Sequence, residues 1–206
     1  MYTVVGNYGE DSEKILGDYP LSSKGGQKEW DAVRYLELST EMRKICSDCC
    51  VASGDEELLS SNPAVIIERH HHILTKGGKV KNHFAPHCDH EGPASGPCRS
   101  ILYYYQIDEG IEDVGLHFYE WKDKTSGVID VKTSKETFIP KSGDVVTFGD
   151  NIPHCPGEFK TDSETPRVRG LFAIFIKYPS EKEETPHKSS WMSCLPCFWC
   201  YSESGL

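Results

Sequence analysis

Between Pro63 and Tyr178 the chain breaks into eight short runs rich in β-branched and aromatic residues, with no helical period between them. The runs are Ala64 to Leu74, Lys79 to Phe84, Ser100 to Ile107, Gly115 to Trp121, Val128 to Lys132, Glu136 to Ile139, Asp144 to Phe148 and Arg167 to Tyr178. Turn chemistry separates them at Lys76-Gly77-Gly78, Gly92-Pro93, Lys141-Ser142-Gly143-Asp144 and Gly149-Asp150-Asn151. Many short strands unbroken by helices close into a sandwich or jelly roll, so the expected fold class is mainly β.

The flanks read differently. Residues 1 to about 27 are polar, rich in Gly, Tyr and Ser, and lack a sustained period, as expected of a loop or arm. From Gln27 to Cys50 the apolar residues Trp30, Val33, Leu36, Met42 and Ile45 recur at multiples of three, which predicts one amphipathic helix supporting the β domain. The organisation expected is an N-terminal arm and helix over 1–62, the jelly roll over 63–178, and a Cys-rich polar tail over 179–206. A chain of 206 residues suits one domain with one sizeable core.

Charge and cysteine usage narrow the partners. The 32 acidic residues outnumber the 22 basic ones, and a net charge of -10 without a basic stripe argues against nucleic acid as a partner. No window of apolar residues is long enough to span a membrane. The opening MYTVVGNYGED has neither a basic start nor an apolar stretch, so a cytoplasmic or nuclear location is expected. The nine cysteines then read as reduced thiols or metal ligands. They cluster at Cys46, Cys49 and Cys50 and again at Cys194, Cys197 and Cys200. The second cluster could bind zinc, accept lipid or lie outside any fold, and membrane association is expected only if it is lipidated.

The chemistry-bearing constellation is His87, Asp89 and His154. In HFAPHCDHEG, His87 and Asp89 stand at i and i+2 of an extended segment, so both side chains project from one face and can grip one metal. His90, at i+3, falls on the opposite face and is excluded. A third ligand is offered by His154 in FGDNIPHCPGEF, just beyond the run Asp144 to Phe148. Two imidazoles and one carboxylate form the facial triad of non-haem Fe(II) oxygenases, which leaves positions open for substrates. A structural zinc site would instead close all its positions, usually with thiolates.

After His87-Cys88-Asp89 come the aromatic strand Ser100-Ile101-Leu102-Tyr103-Tyr104-Tyr105-Gln106, the segment Asp113 to Tyr119, the segment Ile139 to Phe148, His154, and the closing run Arg167 to Ile176. This order closely resembles the 2-oxoglutarate and Fe(II)-dependent dioxygenases, in particular the prolyl 4-hydroxylase-like branch, over about residues 64 to 178. The resemblance implies a double-stranded β-helix with Fe(2+) between its two sheets, held by His87 and Asp89 from one strand and His154 from another. It implies oxidative decarboxylation of 2-oxoglutarate with dioxygen, coupled to hydroxylation of a second substrate, either a peptidyl side chain or a small molecule. It further implies a basic residue after the distal His that pairs with the far carboxylate of 2-oxoglutarate, helped by a hydroxyl from the aromatic strand. A dicarboxylate in a buried pocket needs its second charge paired, and Arg does this with a planar fork. Here the spacing from His154 to the next arginine is longer than is common in the family, and Arg167 and Arg169 compete from one strand face. Arg169 is favoured because Gly170 to Ile176 then matches the length of the closing strand. Alignment of the aromatic strand makes Tyr104 its partner, although all three tyrosines could serve packing alone. The alternative from another class is a non-catalytic or cosubstrate-independent, cupin-like metal-binding module, in which neither arginine has reason to point inward.

Other histidines weigh less. His70 and His72 share a face opposite to that of His71; one of the two faces could look into the active-site mouth, and a solvated strand is the favoured expectation. His117 is expected to pack or meet solvent. Cys88 and Cys155 each follow a ligand histidine, and alternation predicts that they share an outer face with Cα atoms within about 7 Å.

Overall fold

The structure is a computed structural model that describes residues 2–9, 23–24, 27–28, 31–78, 85–89, 98–132 and 134–178. The expected strand Lys79 to Phe84, His83, His90 and the cysteines of the tail lie outside the described residues. In chain order the elements are β1 (Thr3–Asn7), β2 (Ser23–Lys24), β3 (Gln27–Lys28), β4 (Asp31–Arg34), α1 (Thr40–Ser53), α2 (Glu56–Ser60), β5 (Ala64–Leu74), β6 (Cys98–Ile107), β7 (Ile111–Glu112) and β8 (Leu116–Phe118). They continue as β9 (Glu120–Asp123), β10 (Val128–Asp130), β11 (Glu136–Phe138), β12 (Asp144–Gly149), β13 (His154–Pro156), β14 (Lys160–Thr161) and β15 (Arg167–Lys177).

Six strands form an antiparallel major sheet in the order β1-β12-β6-β15-β5-β4. A minor sheet runs β11-β8-β13 and is extended by an antiparallel bridge between His154 and His87. Successive segments alternate between the two: β5 major, His87 minor, β6 major, β8 and β11 minor, β12 major, β13 minor, β15 major. That alternation is a double-stranded β-helix, and the mainly β jelly roll expected from the sequence is the fold observed.

Each major-sheet strand serves two cores, because alternate side chains point to opposite faces. On the outer face Val65, Ile67, Ile101, Tyr103, Tyr105, Phe172, Ile174 and Ile176 pack against Met42, Ile45, Cys46 and Cys49 of α1. On the inner face Leu171, Ala173, Tyr104, Val146 and Phe148 meet Leu116, Phe118 and Phe138 of the minor sheet. Gly170 has a specific reason to be glycine: the Tyr105 ring lies over it, and a Cβ there would stand 2.3 Å from ring carbons.

The N-terminal region departs from expectation. The anticipated arm contains β1, which pairs with β12 at the edge of the major sheet. The helix anticipated over Gln27 to Cys50 is confined to α1, and Asp31–Arg34 is a strand pairing with Ala64–Ile67. The reason is local. Ser39 accepts a hydrogen bond from the Met42 N–H and starts the helix there, and Gly54 closes it at φ 73°. Upstream, Leu36 is 60% exposed and joins no apolar stripe. The acidic, Ser-rich stretch after α1 contains the short helix α2.

Candidate metal centre

His87 and His154 are brought together by backbone. The His87 N–H donates to the His154 carbonyl at 3.0 Å, and the His154 N–H donates to the His87 carbonyl at 2.8 Å. An antiparallel pair that exchanges both bonds places its two side chains on one face, and Asp89, two residues on, shares it. The three ligand atoms all lie within 4.8 Å of one another. Asp89 Oδ1 is 3.8 Å from His87 Nε2 and 3.6 Å from His154 Nε2.

Each ligand has a second contact that orients it. His87 Nδ1 is 3.0 Å from the Ala85 carbonyl, and His154 Nδ1 is 3.0 Å from the Ile152 carbonyl. A carbonyl only accepts, so both Nδ1 atoms carry hydrogen and each ring turns its Nε2 toward the cluster. Asp89 Oδ2 accepts from the Ser100 hydroxyl, which reaches it from the opposite sheet. His154 is buried, and burial pushes its pKa down, favouring the neutral imidazole that a metal needs. Phe148 packs edge-on against the His154 ring at 4.7 Å, and Phe118 lies 6.5 Å away. The site therefore has an apolar wall that excludes water.

Arg169 faces the same interior. It is 2% exposed, with its guanidinium 4.2 Å from the centre of the Phe159 ring and 5.6 Å from that of Tyr104. Among the described residues its Nε and Nη2 atoms have no hydrogen-bond partner, and neither has the buried Tyr104 hydroxyl. Burial pushes the guanidinium down and the Tyr104 phenol up to about 12. A buried charge with no counter-charge is costly, by several kcal/mol per ion. Arg167, two residues earlier, is half-buried beside the turn at Gly110.

The remaining sequence candidates separate by face. His72 is the strand partner of Arg169 and His70 of Leu171, so both turn inward, and His70 Nε2 is 2.9 Å from Glu68 Oε2. The solvated strand expected at this triplet is met by His71 alone, which is exposed and bonds the Tyr105 hydroxyl at 2.8 Å. His117 lies on the outer face of the minor sheet, 2.9 Å from Thr137 Oγ1 and 3.1 Å from Asp113 Oδ1. Cys88 and Cys155 are half-buried and not in disulfides. His87 and His154 are an antiparallel pair, so Cys88 and Cys155 are not direct partners across the bridge but stand diagonally on the face turned away from the two histidines, and His117 is the strand partner of Cys155. Sequence reading missed Ser100 and Phe159. Ser100 had a signal, since it shares alternation with Leu102 and Tyr104, whereas Phe159 sits between strands where no period applies.

No family model matches the chain, and no curated protein matches it in sequence. Among solved structures it is similar to IDO from Bacillus thuringiensis, with a TM-score of 0.48 and 12% identity over 70% of this chain and 63% of that one. It is similar to a Pseudomonas putida prolyl-4-hydroxylase, with a TM-score of 0.41 and 14% identity over 73% and 72% of the two chains. It is also similar to the non-heme alpha ketoglutarate dependent epimerase SnoN from nogalamycin biosynthesis, with a TM-score of 0.43 and 13% identity over 92% and 86%. The alignment with IDO spans less than two thirds of that protein.

Proposed function

We propose that this protein is a non-haem iron oxygenase that uses 2-oxoglutarate and dioxygen to hydroxylate a second substrate. The observation that carries the reading is the pairing of two features in one interior. One is the cluster of His87 Nε2, Asp89 Oδ1 and His154 Nε2. The other is the buried Arg169 guanidinium with unpartnered nitrogens beside an unpartnered Tyr104 hydroxyl. The first set fits Fe(2+), being two imidazoles and one carboxylate with positions left open. The second fits the far carboxylate of a dicarboxylate, which would supply the missing counter-charge and accept from both residues. A cosubstrate-independent, cupin-like module gives no reason to bury an unpaired guanidinium there.

In this reading His87, Asp89 and His154 hold the iron, and Arg169 and Tyr104 hold and orient 2-oxoglutarate. Bound iron supplies the redox chemistry by which 2-oxoglutarate and dioxygen become succinate, carbon dioxide and an oxidised product. The chain's own contributions are separate. The Ala85 and Ile152 carbonyls fix the imidazole tautomers. Phe148 and Phe118 wall the His154 side of the site with apolar rings, and Phe159 covers the guanidinium. The second substrate is proposed to be a peptidyl side chain or a small molecule.

The test is succinate formation from 2-oxoglutarate by the iron-loaded protein, with and without candidate peptides. His154→Ala should abolish both metal binding and turnover. Wild-type protein that binds iron but neither binds nor consumes 2-oxoglutarate would leave the cupin-like alternative standing.

A further inference from the structure

The three ligand side chains are oriented by two kinds of partner. His87 and His154 each rest on a carbonyl of their own segment, which no side-chain substitution removes. Asp89 is held by a side chain, Ser100, from the major sheet. A carboxylate differs from an imidazole in having two equivalent oxygens, and both could approach one metal. Here they have different surroundings: Oδ2 accepts the Ser100 hydroxyl, while Oδ1 is the oxygen near both Nε2 atoms.

We propose that Ser100 is a positioning residue that restricts Asp89 to binding through one oxygen, so that a coordination position which Oδ2 would otherwise take stays open for substrates. This inference rests on the metal reading given above.

Its surroundings suit that role. Ser100 is fully buried, so bulk water does not compete for its hydroxyl. Its strand partners on either side are Phe148 and Phe175, so the hydroxyl is the hydrogen-bond donor that this row of the sheet presents to Asp89. Cys98, two residues earlier on the same face, is the neighbouring alternative. Burial pushes its thiol up to about 11, and a neutral S–H is a weak donor that would not replace an O–H. Swinging Oδ2 toward the metal would break a charge-assisted bond to a fully buried hydroxyl.

The experiment compares wild type with Ser100→Ala, Ser100→Val and Ser100→Thr, each loaded with Mn(II). Water-proton relaxation counts exchangeable waters on the ion, and calorimetry measures affinity for Mn(II) and then for 2-oxoglutarate. Ser100→Thr keeps the hydroxyl and should match wild type. Ser100→Ala and Ser100→Val should each carry one water fewer. They should also lose roughly 10-fold in 2-oxoglutarate affinity, because Oδ2 takes a chelating position, with any loss for Mn(II) inside the roughly 10- to 100-fold range known for partners of metal ligands. The two hydroxyl-free variants guard against one failing to fold, which melts of the metal-free proteins will show. A wild-type water count in both overturns the inference, whatever happens to affinity. Wild-type protein that fails to bind Mn(II) overturns the metal reading as well, which separates the two failures.

Discussion

The two faces of the major sheet are built from the same strands and do opposite things. In Arg169-Gly170-Leu171-Phe172, alternate residues belong to different interiors: Arg169 and Leu171 face the candidate site, while Gly170 and Phe172 face α1. The outer interior is apolar and closed by a capped helix. The inner one contains a carboxylate, imidazoles, and a guanidinium and a phenol without partners among the described residues, set among aromatic walls. Polar groups of that kind lower stability until a ligand satisfies them. The comparison shows where the fold places its stability and where it tolerates a loss.

The largest expected effect is on the outer face. Phe172 is fully buried against Tyr103 and Tyr105, and Phe172→Ala should cost about 3–5 kcal/mol in denaturant unfolding. Mn(II) affinity of the folded protein should stay unchanged, and a coupled loss would mean that the two interiors are not separable. Next, Arg169→Met should invert that pattern. It should weaken 2-oxoglutarate binding by about 100-fold, or about 2.7 kcal/mol, in calorimetry. The ligand-free melting temperature should hold or rise, because an unpaired buried charge is removed. A clear fall would show that Arg169 is structural. Ser39→Ala should cost about 1 kcal/mol through loss of the α1 cap, again without touching the site.

The smallest effect is a contrast in thiol reactivity. Burial pushes the Cys46 and Cys49 thiols up, and those of Cys50 and Cys98 up to about 11. At pH 8 these four should resist iodoacetamide in the native protein, while the half-buried Cys88 and Cys155 react, as peptide mass mapping would show. Rapid labelling of the α1 cysteines would mean that the outer interior opens readily.

What could be read from sequence depended on how local its cause was. The bounds of β5 match the expected Ala64 to Leu74, because a long β-branched run is punctuated by Gly77 and Gly78. The His87 and Asp89 pair was legible because a spacing of two decides the face within one segment. Strands β1 and β4 were not, since a few residues carry no measurable period and both owe their form to partners remote in sequence. Strand direction was equally invisible, and it is what makes Cys88 and Cys155 diagonal neighbours across the bridge instead of direct partners. Ser100 showed its face through alternation but not its bond, which crosses from one sheet to the other.

The two backbone bonds between His87 and His154 close a long loop that contains every strand from β6 to β12. Such a loop costs entropy that non-local contacts repay only late, so the ligands meet after the sheets have largely assembled. An ion encountering the nascent chain finds only the local His87 and Asp89 pair, which is a weak chelator. If the site holds a metal as proposed, tight capture belongs to the native state, and metal should raise the melting temperature by mass action without accelerating refolding. Under the proposed reading the ion would be a latch applied after closure, and the refolding rate measured with and without metal should be the same.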